Sequence, residues 1–327
     1  MRPAQTVRRL AEQMTAKAKA SPAWQEAYER QDEAYDELAF IYDRYQQQAT
    51  AGAELMRQIL SVIDQQTQAG RLPCRRMADL GCGTGSLLLA FLKKGFSVLG
   101  IDRSPGMLNE AWQRLEAAGY APATQTAAAP SFPEDRATRP GVAPAPAFTL
   151  ALQDISRADT GSFKAGVVCC LLDTVNHLLT RRDLLGLFQS AARLLIPGGQ
   201  FFFDVVGLEH FRSLSRQPSF DITEQYAVFW QTDYDEAQAL NTAEITGFVP
   251  SGRADAWQRF DVTVTERCWS WAELQAALTQ AGLKLASCYT LTHSGAERLP
   301  RQALSGAAAP PPVFTRRLLT AVRSPAD

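Results

Sequence analysis

Residues 79–85 read DLGCGTG, with the apolar run MADL (77–80) leading in and SLLLAFLKK (86–94) leading out. The first run reads as a short buried strand and the second as a helix ended by Gly95, so the motif stands where a strand hands over to a helix. Glycines at 81, 83 and 85 let the backbone turn tightly and approach a ligand with no Cβ in the way. The helix start beyond them offers free N–H groups. The next apolar run, FSVLGID (96–102), is a second strand that ends in an acid. The Asp102 carboxylate there can accept two hydrogen bonds, which suits the paired hydroxyls of a ribose. A nicotinamide-dinucleotide fold uses the same logic with the spacing G-x-G-x-x-G. Here the third glycine of that pattern would fall at Ser86, and the observed spacing is G-x-G-x-G with an acid two residues ahead, which weighs against that reading.

Working outward, Ser104-Pro105 supplies an N-cap and a first-turn proline for the helix GMLNEAWQRLEAAG (106–119). FTLALQD (148–154) and AGVVCCLLD (165–173) are two more strands. Thr180 and Asp183 form a capping-box-like start for DLLGLFQSAARLL (183–195), and the turn IPGG (196–199) leads into the strand QFFFDVV (200–206). Strands alternating with helices predict a parallel, doubly wound sheet. Upstream, residues 31–66 are good helix formers, with Leu55, Ile59, Leu60 and Ile63 at helical spacing, and residues 1–30 look helical and polar. Downstream, 220–269 show strand-like alternation and predict a small antiparallel sheet inserted after the fifth strand. Ser270 and Glu273 cap the helix SWAELQAALTQAG (270–282), and LKLASCYTLT (283–292) and TRRLLTAV (315–322) close the sheet. Segments 120–147 and 294–312 have few large apolar residues to repay ordering and read as disordered loops. The expected organisation is an N-terminal helical region (1–66), a core (67–206), an inserted sheet covering the acceptor (207–269) and a closing helix and strands (270–327).

The 327 residues, 46% of them hydrophobic, can bury a sizeable core, and a net charge of -1 gives no sign of the basic face of a nucleic-acid binder. No apolar run approaches the roughly 20 residues that cross a bilayer. The start MRPAQTVRRLAEQM lacks the apolar stretch of a secretion signal, so a cytoplasmic location is expected. Six cysteines show neither C-x-x-C pairs nor zinc spacing, and there are three histidines, so buried free thiols and no metal site are expected.

DLGCGTG, GIDRSPGML, LQD, LLDTVNHLL and LLIPGGQFFFD occur in this order. With them the sequence resembles, over residues 35–292, the class I S-adenosylmethionine (SAM)-dependent methyltransferases. It looks closest to a bacterial small-molecule branch similar to amino-sugar N-methyltransferases. The resemblance implies an α/β, Rossmann-like, doubly wound and mostly parallel seven-stranded sheet with an inserted small antiparallel sheet. It implies SAM as cofactor and S-adenosylhomocysteine as product. Asp79, Gly81, Cys82, Gly83 and Gly85 would shape the pocket for the methionine part and Asp102 would hold the ribose. Arg103 and Met107 would flank the adenine, and Gln153, Asp154 and Ile155 would meet its amino edge. Leu171 and Leu172 would close over the ligand, and Tyr35 and Tyr42 would reach toward it. Core packing alone would also explain Met107 and the seven-residue spacing of the two tyrosines.

Methyl transfer from a sulfonium is an in-line displacement, so the protein mainly positions the acceptor and excludes water. An amine or hydroxyl acceptor must lose a proton, and a nearby base helps. His177 lies after the fourth strand at the carboxyl edge of the sheet, with an ordinary pKa of roughly 6.5. It is the candidate base, with Asp173 and Asn176 to orient it or bind the acceptor. Tyr226, Trp230 and Arg259, with Tyr234 and Glu266, are placed on the inserted sheet near the acceptor. LLDT stands where enzymes acting on exocyclic amines of nucleic-acid bases carry N-P-P-Y or D-P-P-Y, and that place holds no Pro-Cys nucleophile either. The expected function is methyl transfer to N or O of a small-molecule acceptor, with no membrane or nucleic-acid partner. A non-catalytic SAM-binding regulator or scaffold, and an RNA or protein methyltransferase, are the alternatives. Oligomeric state leaves no signature in the sequence.

Overall fold

The strands that carry the candidate site come first in the chain: β1 (Arg76–Leu80), β2 (Ser97–Asp102), β3 (Ala121–Pro122), β4 (Ala147–Leu152), β5 (Ala165–Cys170) and β6 (Leu195–Val206). They pair in parallel. The computed structural model describes residues 34–39, 41–43, 50–68, 74–125, 130–131, 145–251, 256–292, 295–299 and 314–323. A second set of four strands, β7 (Ser219–Ile222), β8 (Ala227–Asp235), β9 (Leu240–Pro250) and β10 (Trp257–Arg267), forms its own antiparallel sheet in the order β10-β9-β8-β7. The chain then returns to the main sheet with β11 (Leu283–Thr292), β12 (Gly295–Arg298) and β13 (Arg316–Arg323). The main-sheet order is β12-β11-β13-β6-β5-β1-β2-β4-β3, and β13 runs antiparallel between β6 and β11. The fold is the expected α/β, mostly parallel sheet. Seven full strands carry it, and the short β3 and β12 extend its two edges to nine.

Helices α1 (Thr50–Gln68), α2 (Ser86–Lys93) and α3 (Pro105–Ala117) cover one face of the sheet, and α4 (Arg181–Leu194) and α6 (Trp271–Gln280) the other; α5 (Leu208–Leu214) follows β6. The run QFFFDVV explains how both faces are served. Successive side chains of a strand point to opposite faces. Phe202 packs with Ile59, Ile63, Leu88 and Phe91, while Phe201 and Phe203 pack with Leu184, Leu187 and Phe188. A strand buried on both sides reads as a continuous apolar run, as this one does. Helix starts follow their local signals. The Ser104 hydroxyl accepts from the Met107 N–H at 3.0 Å, Thr180 caps through the Asp183 N–H, and Ser270 with Glu273 forms a full capping box.

Several expectations change. IPGG is no separate turn: β6 starts at Leu195 and bulges, because β5 pairs Ala165 with Leu195 and then Val167 with Gln200. The stretch beginning FDITEQY is broken by a turn in which the Thr223 hydroxyl accepts the Gln225 and Tyr226 N–H groups, so the inserted sheet has four strands. Residues expected as disordered loop include β3, a two-residue pairing of 124–125 with 130–131, and β12, which folds back on Tyr289–Thr292. Local composition could not foresee these, because each depends on a partner strand elsewhere. The rest of 120–147 and of 294–312, and residues 1–30, lie outside the described residues. The six cysteines are free, four of them buried. Among the described residues no helix is long and apolar enough to cross a membrane.

Gly85, the N-cap of α2, has φ +76°, and a Cβ there would lie 2.9 Å from the Ala111 Cβ of α3. A left-handed backbone costs an L-residue roughly 1–2 kcal/mol and overpacking roughly 1–3. Gly85→Ala should therefore lower urea-unfolding stability by about 2–5 kcal/mol. An unchanged unfolding midpoint would contradict the close packing of bend on helix.

Candidate active site at the carboxyl edge of the main sheet

The glycine bend is tied to the neighbouring strand. Gly81 and Cys82 donate their N–H groups to the Ile101 carbonyl at 2.8 and 3.0 Å. Gly83 donates to Asp102 Oδ2 at 2.8 Å, and Ser104 donates to Asp102 Oδ1 at 3.0 Å. The acid at the end of β2 thus braces the bend from below. Gly83 has φ +50°, and a Cβ built on it meets nothing within 4 Å among the described residues. That open space belongs to a cavity of about 270 Å³. Its size is close to the lower end of small-ligand sites, roughly 300–1,000 Å³. Burial, with the charge of Asp102 behind it, pushes the Asp79 carboxyl in its wall well above the usual range.

The roof comes from the N-terminal segment, helical at 34–39 and 41–43. Asp36 accepts from the Ser104 hydroxyl at 2.6 Å and from the Gly106 N–H at 2.8 Å. Asp43 accepts from the Thr84 hydroxyl at 2.6 Å and ion-pairs with Arg114 of α3. These two acids clamp the segment over the bend and the start of α3. The sequence reading chose Tyr35 and Tyr42 in AYDELAFIYD and missed the aspartate one place after each. The repeat was visible, but its partners lie far along the chain.

Of the residues expected around the cofactor, the cavity gathers Tyr42, Asp79, Gly81, Cys82, Gly83, Leu171 and Leu172, and adds Asp43, Met56, Thr84 and Thr174. Gly85 packs on α3 instead. Met107 is 2% exposed and belongs to the α3 core, and Ile155 is buried in the opposite core layer. Gln153 brackets Asp159, its Oε1 accepting the Asp159 N–H at 2.9 Å and its Nε2 donating to the carbonyl at 3.0 Å. Asp154 caps a short 3-10 turn, accepting the Ser156 N–H at 2.8 Å. The charge of Arg103 reaches Tyr35 and His177.

Beside this cavity stands a partly buried polar cluster. Tyr35 Oη lies 2.8 Å from His177 Nε2, with the rings edge-on at 5.4 Å, and Tyr42 meets Tyr35 edge-on at 6.4 Å. Burial lowers His177 to about 4, only partly offset by the Asp173 charge, and raises the Tyr35 hydroxyl. At neutral pH the imidazole is therefore neutral and shares a hydrogen bond with the phenol, its tautomer setting which of the two donates. This departs from the expectation of a base titrating near 6.5: the ring is desolvated and its Nε2 is engaged by Tyr35. The Leu172-Asp173 pair carries two successive positive φ values, 59° and 57°, in non-glycine residues. Such backbone persists only where the surroundings enforce it. Arg316 does so, with Nη2 3.0 Å from Asp173 Oδ2 and Nη1 2.5 Å from Asp204 Oδ2. Burial works against the charge of Arg316, but the two carboxylates outweigh it and raise its pKa.

Asn176 does not face an acceptor. Its Nδ2 donates to the Val206 and Arg267 carbonyls at 3.1 and 2.9 Å, and its Oδ1 accepts the Val206 N–H at 3.0 Å, so it ties β6 to β10. Tyr226 is fully buried, packs against Ile41 and gives its hydroxyl to Asp221 at 2.6 Å, with Trp230 half-buried alongside. Arg259 points the other way. Its neighbour Phe260 is buried, so strand alternation puts Arg259 on the outer face, paired with Asp261 at 2.7 and 2.8 Å. Glu266 is on the inner face, where the Asn241 amide donates to it at 3.3 Å. Tyr234 stacks on Phe211 of α5, with centroids 5.6 Å apart.

Residues 78–203, from β1 through most of β6, match the family model described as "Methyltransferase domain". The chain is 29% identical over 214 residues to the Bacillus subtilis (strain 168) protein named "Putative methyltransferase YqeM", covering 64% of this chain and 74% of that one. Among solved structures it is similar to an S-adenosylmethionine-dependent methyltransferase from Clostridium acetobutylicum ATCC 824, at 20% identity and TM-score 0.65, covering 89% of this chain and 99% of that one. It is also similar to the sugar N-methyltransferase KedS8 from Streptoalloteichus sp ATCC 53650, at 17% identity and TM-score 0.58, covering 86% and 92%. At these identities the structural likeness speaks for the fold. The family model begins on the strand that carries the glycine bend and spans the acid-ended strand beside it, and residues 78–203 carry a methyltransferase domain.

Proposed function

We propose that this protein transfers the methyl group of SAM to a nitrogen or oxygen atom of a small-molecule acceptor. The observation that carries the reading is the open space above Gly83, walled by the buried Asp79 carboxyl and roofed by Tyr42 and Asp43. SAM fits those groups: its methionine ammonium and sulfonium are cationic, and a positive charge beside a buried carboxyl favours the carboxylate. Bound there, SAM supplies an electrophilic methyl on sulfur. Asp79 and the N–H groups of the bend would hold the methionine part. Asp102, already fixed by Gly83 and Ser104, keeps lone pairs for a ribose, since each carboxylate oxygen accepts more than one hydrogen bond. Arg103 and Asp154 would border the adenine end. Leu171 and Leu172, closing the cavity, would keep water from the reacting atoms.

Tyr35 and His177 would form one wall of the acceptor space, and the inner face of the small sheet would cover it. In this division residues 67–206 and 270–327 hold SAM while 207–269 cover the acceptor. A small molecule is favoured by the near-neutral chain and by the partly buried character of the Tyr35–His177 cluster. The name of KedS8, a sugar N-methyltransferase, agrees with it. His177, neutral and bonded through Nε2, would orient the Tyr35 hydroxyl toward the acceptor.

Gly83→Arg should weaken SAM affinity by at least about 100-fold, or about 2.7 kcal/mol, in titration calorimetry. Circular dichroism would verify the fold, and retained affinity would contradict the pocket assignment. Tyr35→Phe and His177→Ala should each lower kcat/KM by roughly 10²-fold. The double variant should be no slower than the worse single variant, because the two groups act as a unit. Additive losses would show that they act separately. The pH profile of kcat/KM should lack an ionisation near 6.5, since His177 is held neutral down to about 4.

A further inference from the structure

Near Tyr35 and His177, two buried hydrogen-bond acceptors are left without donors among the described residues. Asp204 is fully buried; its Oδ2 takes the Arg316 guanidinium and the Asp173 N–H, while its Oδ1 meets no donor among the described residues. Asn241 is 1% exposed, and its Nδ2 is given to Glu266, its partner in the β9–β10 ladder. The Asn241 Oδ1 likewise meets no donor among the described residues. Nearby, Arg316 is given to Asp173 and Asp204, and the Tyr35 hydroxyl pairs with His177. Three carboxyl groups, Asp173, Asp204 and Glu266, thus gather near the Arg316 guanidinium, with the charge of Arg103 also reaching Tyr35. The Tyr35 hydroxyl feels the charges of both Asp173 and Glu266, so the two acids approach the same place from the main sheet and the inserted sheet. Buried acceptors without donors are uncommon in folded proteins and call for an explanation.

We propose that Glu266 receives the acceptor and that the methylated atom is an amine nitrogen, arriving as an ammonium; this rests on the methyl-transfer reading above. An ammonium brings three donors and a positive charge to a site with unpaired acceptors and three carboxyl groups. A hydroxyl acceptor brings one donor and would develop negative charge beside carboxylates. The ammonium passes one proton to a Glu266 carboxylate oxygen and becomes a neutral amine. Its lone pair forms the N–C bond as the methyl C–S bond breaks, with that electron pair staying on sulfur as a neutral thioether. The methylated ammonium carries the positive charge away, and the Glu266 proton leaves to solvent. Glu266 suits this proton better than His177. Burial first, and the Asp173 charge second, push its carboxyl up, with Asn241 and Arg316 acting in the opposite direction, so it takes a proton more readily than an ordinary carboxylate. A base is most effective with a pKa near the working pH.

The test uses the full chain with methyl-13C SAM and a low-molecular-weight metabolite extract of bacterial cells as the acceptor source. The carbon shift of the transferred methyl separates N-methyl from O-methyl and S-methyl products without identifying the acceptor. The wild type should yield N-methyl signals. Glu266→Gln should lose them by roughly 10²-fold while binding S-adenosylhomocysteine unchanged, and Glu266→Asp should recover part of the rate. O-methyl products, or an undiminished rate in Glu266→Gln, would overturn the assignment. A wild type that binds SAM yet labels nothing would instead remove the methyl-transfer reading, and this proposal with it.

Discussion

The structure depends on one bend of backbone, anchored from beneath by its neighbouring strand. The Ile101 carbonyl takes the N–H groups of Gly81 and Cys82, and the Asp102 carboxylate takes that of Gly83. These bonds hold three small residues at the tip of β1 while leaving the space above them open. Because β1 and β2 are adjacent and parallel, the acid of the second strand falls beside the glycines of the first. Ligands in doubly wound sheets bind at this carboxyl edge. The remaining site residues are assembled around that fixed point.

Two further constraints complete the site. From one side the N-terminal segment is clamped by Asp36 on the cap of α3 and by Asp43 on Thr84 and Arg114, which brings Tyr35 and Tyr42 over the bend. From the other side Arg316, on the antiparallel strand β13, holds the left-handed turn at Leu172-Asp173 by bonding Asp173 and Asp204 together. His177 follows that turn, so its place opposite Tyr35 depends on both clamps. The cluster they create is partly shielded from water, and its electrostatics differ from those of the same side chains in solution. Burial turns His177 into a poor proton acceptor and makes Glu266 a better one.

The legible parts of the fold were those encoded by local chemistry. Ser104, Thr180 and Ser270 mark helix starts because a cap acts within three residues. QFFFDVV announces a strand buried on both faces because its apolar run is unbroken. DLGCGTG and Asp102 could be read as a ligand bend because strand order in a doubly wound sheet puts them side by side. What needed distant partners was hidden. Asp36 and Asp43 are two more acids on a helix until Ser104, Gly106 and Thr84 are seen beneath them. Arg259 looked like a pocket residue because its face follows from the burial of Phe260, which sequence alternation alone did not decide. Asn176 looked like an acceptor ligand, yet its amide is committed to Val206 and Arg267. Desolvation of His177 depends on packing from three separate parts of the chain, and a proton affinity set that way leaves no local mark.

The most direct test is a crystal structure of the protein grown with S-adenosylhomocysteine, solved with a parallel soak in NAD. The account predicts the nucleoside ligand against Gly81–Gly83, its ribose at Asp102 and its sulfur directed toward Tyr35 and His177, with the NAD soak leaving that position empty. Ligand density elsewhere, or NAD seated on the bend, would contradict it.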